Sequence, residues 1–208
     1  MKNKLTWTLL AFFAVGVGLY PSLYILMDMR QGLLSTKPSE LLDSNLYQFI
    51  FHQHIYLGGI ALLAGLLQFS KKLRSRHLSW HRALGKTYLI AVLLSGSAGL
   101  YIAFYATGGL ICVTGFESLA ILWLYTSATA YRAIRNRDID RHKEWMIRSY
   151  ALCFAAVTLR ILGPVFQFGF GMSFIPAYQI IAWLSWMLNL LVAEIIIRNK
   201  RQKAISVA

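Results

Sequence analysis

Charge is scarce in this chain. Only 14% of its residues are charged, and acidic side chains number 8 against 21 basic ones. Hydrophobic residues reach 57%, and the mean hydropathy is +0.53. A soluble domain of 208 residues needs far more charge on its surface, so these figures exclude one and place the chain in a bilayer. Cysteine is almost absent. Cys112 and Cys153 fall at different expected depths, which argues against a disulfide. The sequence also lacks a phosphate-cradling glycine loop, a nucleophile elbow and a Cys-x-x-Cys metal pattern.

The charge that is present is organised. A formal net charge of +13 could suggest nucleic acid, but the basic residues cluster in short segments between apolar runs. That is the pattern of a polytopic membrane protein obeying the positive-inside rule, with no role for nucleic acid. Six spans are expected, at about 5–27, 47–69, 87–107, 110–131, 145–168 and 177–197. The fold class is all-α: one six-helix transmembrane bundle over 1–208, with spans two to five as a four-helix core. The first run begins like a signal peptide, yet no small-x-small cleavage site follows it, so it reads as a retained span. Residues 28–46 form the longest polar connection and are expected to hold a loop with a short helix.

Orientation follows from the loops. Lys71, Lys72, Arg74, Arg76, Arg82 and Lys86 lie in one turn, and Arg132, Arg135, Arg137, Arg141 and Lys143 in another. These turns and both termini fall on one side, while the other side has only Arg30 and Lys37. The expected location is the bacterial cytoplasmic membrane, with both termini cytoplasmic.

Two helical faces stand out. At i, i+4, i+7, i+11 and i+14 from His54 lie Gly58, Ala61, Gly65 and Gln68. From His81 the same spacing gives Gly85, Tyr88, Val92, Ser95 and Gly99. Faces of small residues let a membrane helix approach another helix or a flat ligand. His54 lies about 10 Å below the outer end of span two, at one level with Glu117 of span four and Arg160 of span five. Polar groups at such depth pair with one another or line a cavity. Two readings stand: a Glu117–Arg160 structural ion pair with His54 nearby, or a functional pocket.

An inner level holds His81 and His142. From His142 one face reads Met146, Ser149, Cys153, Ala156, Arg160 and Gly163. Both histidines could equally meet lipid phosphates or cap a helix. His52 reads as a lining or interfacial residue, His77 as solvated, and Trp7, Trp80 and Trp145 as interfacial anchors. Gln68, Gln167, Gln179 and Asn189 are candidate interhelical hydrogen-bond partners.

Several stretches carry a resemblance. They are His54-x3-Gly58 through Gln68-Phe69, His81-Arg82-x2-Gly85-x2-Tyr88, Gly115-Phe116, Leu122 to Tyr125, Arg141 to Tyr150, and Ala156 to Arg160. Through them the chain resembles the bacterial membrane proteins grouped as domain of unknown function 2306, over about Phe51 to Arg198. The family implies a membrane location and no activity. In plan, spans two to five are also similar to two-haem transmembrane cytochromes b, in which alternate helices pair histidines around a haem at each side. That likeness implies one b-type haem between His81 and His142, with Arg82, Lys86 and Arg148 meeting the propionates. A second haem is not implied, because Glu117 stands where a ligand histidine would. The expected function is then a membrane redox or electron-transfer protein with a redox partner. The alternative is a transporter, lipid-binding protein or assembly factor with no cofactor, using the His54, Glu117 and Arg160 pocket for a small-molecule ligand.

Overall fold

A computed structural model describes residues 4–25 and 32–206, and among these it is all-helical, with no strand. Among the described residues five helices are long and apolar enough to cross a membrane: Asn45–Gln68, Leu78–Ala103, Leu110–Arg135, Ile139–Gly169 and Phe174–Lys203. The first is α3. The second and third are α5 and α6. The fourth is broken into α7 (Ile139–Cys153), α8 (Ala155–Pro164) and a π turn, Val165–Gly169. The last is α9, Phe174–Ile205.

The expected first span differs. It forms a shorter helix, α1 (Lys4–Leu19), that tightens into a 3-10 turn over Tyr20–Ile25. Pro21 lacks the N–H that an α-helix needs there. Helix and turn together rise about 36 Å, so only the pair reaches the length of a span. The final two residues of the expected run lie outside the described residues. The polar connection carries the short helix it was expected to carry, α2 (Ser39–Leu42), after a 3-10 turn at Gly32–Thr36.

Local chemistry sets the helix ends. Ser44 caps α3 by accepting from the Tyr47 N–H, and Ser70 caps the short α4 (Lys71–Arg76) by accepting from Leu73. Asp138 caps α7 through the Arg141 N–H. The α5–α6 link turns at Gly108 and Gly109, both at positive φ. At the ends rich in Lys and Arg, the helices run past the apolar stretches into the basic segments. The membrane boundary read from hydropathy is therefore shorter than the helix. The end of the bundle holding these segments is called the basic end below, and the opposite one the far end.

The two small faces pack on each other. Helices α3 and α5 run antiparallel in extensive contact, and their ladders meet in register. The Gln68 amide donates to the His81 carbonyl at 3.1 Å. A Cβ on Gly65 would strike the Tyr88 and Tyr150 rings, and one on Gly58 would stand 3.2 Å from Ser95 Oγ. The ladders thus serve a helix–helix interface. Helix α1 joins α3 by an equally close crossing, where a Cβ on Gly59 would overlap the Gly18 carbonyl. Around the α3–α5 pair, α6 packs on α5, α7 on α6 and α3, and α9 covers α6, α7 and α8.

Buried polar groups tie the bundle together. Ser149 Oγ is 2.6 Å from both the Tyr88 hydroxyl and Ser127 Oγ, and the Trp123 indole donates to Tyr88 at 3.4 Å. Two of the four amides expected to bridge helices, Gln68 and Asn189, do so, and a third ties α9 to the α5–α6 link. Besides Gln68, Gln179 donates to the Gly108 carbonyl, and Asn189 joins Thr158 and Ala151. Gln167 instead bonds within its own helix, to Gly163.

Candidate functional site

The far half of the bundle holds a partly open cavity of about 480 Å³. Its walls come from α1, α3, α5, α6, the end of α7, α8 and α9, capped by Leu34 and Lys37 from the polar connection. Most of the lining is apolar. The exceptions include Lys37, His54, Ser95, Arg160 and Gln167.

Two of the three residues expected at the outer level therefore meet here, and the third does not. His54 is held by α5: its Nδ1 lies 2.9 Å from the Ser95 carbonyl, and Ser95 Oγ donates back to the His54 carbonyl at 2.9 Å. A carbonyl only accepts, so Nδ1 carries the proton, and in the neutral ring Nε2 offers a lone pair. Gly99 makes room for the imidazole; a Cβ there would stand 3.1 Å from His54 Cε1. Arg160 donates from Nη1 to the Ala156 carbonyl at 2.9 Å, and its guanidinium lies 5.0 Å from the centre of the Tyr20 ring.

Glu117 sits at the expected depth on the wrong face of α6. Phe116, Leu119, Ala120 and Trp123 line the cavity, a spacing of i, i+3, i+4 and i+7 that turns Glu117 about 100° away. Its Oε1 is buried with no hydrogen-bond partner among the described residues. No Glu117–Arg160 ion pair forms among them either.

Lys37 is the residue that depth reasoning missed. It comes from the loop and donates to the Tyr105 carbonyl. Burial pushes its ammonium below the ordinary lysine value, against an opposing effect of the nearby Cys112. The available signal was scarcity, because Lys37 and Arg30 are the only basic residues of the far-side loops.

At the basic end the expected residues divide. His142 Nδ1 donates to the Ala130 carbonyl at 2.9 Å, which leaves Nε2 free to coordinate a metal, the usual second-sphere arrangement of a ligand histidine. His81 lies within electrostatic reach of His142, and its Nδ1 is buried without a partner among the described residues. Two imidazoles of this kind suit a haem iron chemically. Space is the constraint. Two turns farther in, the Tyr88–Ser149 contact closes the gap between α5 and α7. A macrocycle on these imidazoles would have to lie on the basic side of it.

Arg148 does not wait for a propionate. It forms a two-point bridge to Glu194 of α9, at 2.6 and 3.0 Å, and stacks 4.6 Å from the Trp145 ring centre. Arg201 of α9 likewise clasps Glu144 of α7. Arg82 and Lys86 are exposed. Both cysteines are free and buried. Among the described residues no three His, Cys, Asp or Glu side chains gather as a metal-holding group.

The model of a family described as predicted membrane protein, DUF2306, matches residues 51–197. The chain belongs to that family. The matched region of this DUF2306 protein starts within α3 and ends within α9, so it holds His54, Arg160, His81 and His142 and omits α1 and Lys37. No curated protein and no solved structure matches the chain.

Proposed function

We propose that this protein is a membrane-embedded binding protein, acting as a transporter or carrier for a small organic anion of the membrane phase. The far-end cavity is the binding site, with Lys37, His54 and Arg160 as polar contacts. The carrying observation is the cavity itself: about 480 Å³ of mostly apolar space with three basic side chains, Lys37, His54 and Arg160, in its wall. Pockets of this size bind small molecules through apolar area and a few placed polar groups. The basic end faces the cytoplasm of a bacterial inner membrane in this reading, by the charge asymmetry of the loops. Mass analysis of the small molecules that co-purify with the protein tests it. One species should accompany the wild-type chain and disappear from Arg160→Gln and His54→Ala. An identical set from all three proteins would contradict it.

A second reading, electron transfer through one b-type haem, is favoured by the His142–Ala130 hydrogen bond and the partnerless His81 Nδ1. His81 and His142 would hold the group, which supplies one-electron redox chemistry when bound. Exposed Arg82 and Lys86 lie beside it for the propionates, and Arg148 acts through the α7–α9 bridge instead. A reduced-minus-oxidised spectrum tests this reading: a sharp α-band lost in His81→Ala and His142→Ala supports it. A colourless preparation from haem-replete cells retires it.

A further inference from the structure

We infer that His54 is a proton site: an anion entering the far-end cavity brings one proton onto the imidazole Nε2, so anion and proton bind together. The inference rests on the binding reading above and adds the coupled ion. Three observations carry it.

The first is the tautomer. Nδ1 lies 2.9 Å from the Ser95 carbonyl and 3.4 Å from Ser95 Oγ, and that hydroxyl already donates to the His54 carbonyl. Nδ1 therefore keeps its proton, because both oxygens facing it act as acceptors there. A Cβ on Gly99 would stand 3.1 Å from Cε1 and 3.2 Å from Nδ1, so α5 grips this edge of the ring. Proton exchange is left to Nε2. It makes no hydrogen bond among the described residues, and its side chain lines the cavity.

The second is the lone pair. In the neutral ring Nε2 can only accept, and an anionic oxygen can only accept. The two cannot meet without a proton between them. One proton taken up from solution forms the Nε2–H bond, and the imidazolium then donates to the anion in a charge-assisted hydrogen bond. No other bond is made or broken.

The third is the charge of the wall. Lys37 and Arg160 bring positive charge to the same cavity, and no carboxylate among the described residues lines it. The other titratable groups of the lining are Tyr20, Tyr47, Cys153 and Tyr178, and Glu117 is turned away on α6. A protonated His54 would be a third cation on this wall, unbalanced by any described lining carboxylate. A bound anion supplies the balance, so anion and proton each raise the affinity for the other. Lys37 is the rival proton site, because burial lowers its ammonium below the ordinary lysine value.

The test uses the full chain in lipid nanodiscs, titrated with hexanesulfonate near neutral pH. A sulfonate stays ionised there, so any proton taken up goes to the protein. Calorimetry in phosphate and in Tris, with the heats of empty nanodiscs subtracted, counts those protons from the difference between the buffers. The wild-type chain should take up about one proton per anion, and its affinity should rise about tenfold for each pH unit lowered. His54→Gln should take up none and bind equally across that range, because its amide can donate to Ser95 and to the anion without titrating. Lys37→Arg does not titrate either and should keep the wild-type count. Binding without proton uptake in the wild type would overturn the proton site and leave the binding reading standing. Uptake kept in His54→Gln, or lost in Lys37→Arg, would overturn it too, and the second comparison stands if His54→Gln misfolds. If the wild type binds no hexanesulfonate, the proton site and the anion reading fall together.

Discussion

Ser95 and His54 hold each other twice across the α3–α5 interface. The imidazole Nδ1 meets the Ser95 carbonyl at 2.9 Å, and the Ser95 hydroxyl returns a bond of 2.9 Å to the His54 carbonyl. The pair fixes the ring in one orientation and one tautomer at the cavity wall. It also links the helix–helix interface to the binding site, so mutations in one should be felt in the other.

Gly99→Ala tests that link. Its methyl would sit 3.1 Å from His54 Cε1, tighter than a normal contact. A loss of about 1–2 kcal/mol in thermal stability is expected, the usual cost of modest overpacking. In a His54→Ala background the loss should largely vanish. Equal losses in both backgrounds would show that Gly99 is not shaped around the histidine.

The bridge between Arg148 and Glu194 joins α7 to α9 near the basic end. Replacing either partner should destabilise the protein by about 1.5 kcal/mol, the low end for charged hydrogen bonds because Glu194 is partly exposed. Removing both should cost less than the sum of the single changes. Additivity in a double-mutant cycle would mean the contact contributes nothing.

Ser149 is the centre of the buried hydroxyl cluster. Ser149→Ala takes a partner from Ser127 and from Tyr88, which keeps only the Trp123 indole, and a cost of about 1–3 kcal/mol is expected for under-satisfied buried polar groups. Ligand binding in the cavity should change little, because the cluster lies beneath its floor. A thermal melt beside a binding titration separates the two effects.

The lowered pKa of Lys37 has a pH signature. The folded state releases its proton before the unfolded one does, whose value is the ordinary 10.5. Between the two values the unfolded state binds more protons, so the contribution of Lys37 to stability rises with pH. The stability of the wild type relative to Lys37→Met should therefore increase from neutral toward alkaline pH. A constant difference would show that the ammonium is not desolvated.

Much of this architecture was legible in the residues. Hydropathy and charge located the five long helices, and the ladders from His54 and His81 marked faces that meet in the structure. Depth was legible too, since His54 and Arg160 share a level and a cavity. Direction was not. Glu117 has the right depth, yet one residue's rotation takes it off the lined face, and no count of rise per residue reveals that. Lys37 escaped because its place depends on how the loop folds back over the bundle. The acidic partners Glu144 and Glu194 escaped because the basic turns looked sufficient for the membrane surface alone, whereas two of the basic side chains close α7 onto α9.

The central claim is that the far-end cavity holds a ligand against Arg160 and His54. An experimental map of the full chain in lipid nanodiscs, prepared without added ligand, tests it most directly. The account predicts density for one bound small molecule inside the cavity, in contact with its polar wall at Lys37, His54 or Arg160. A cavity closed by side chains, or one containing only separate waters, would contradict it.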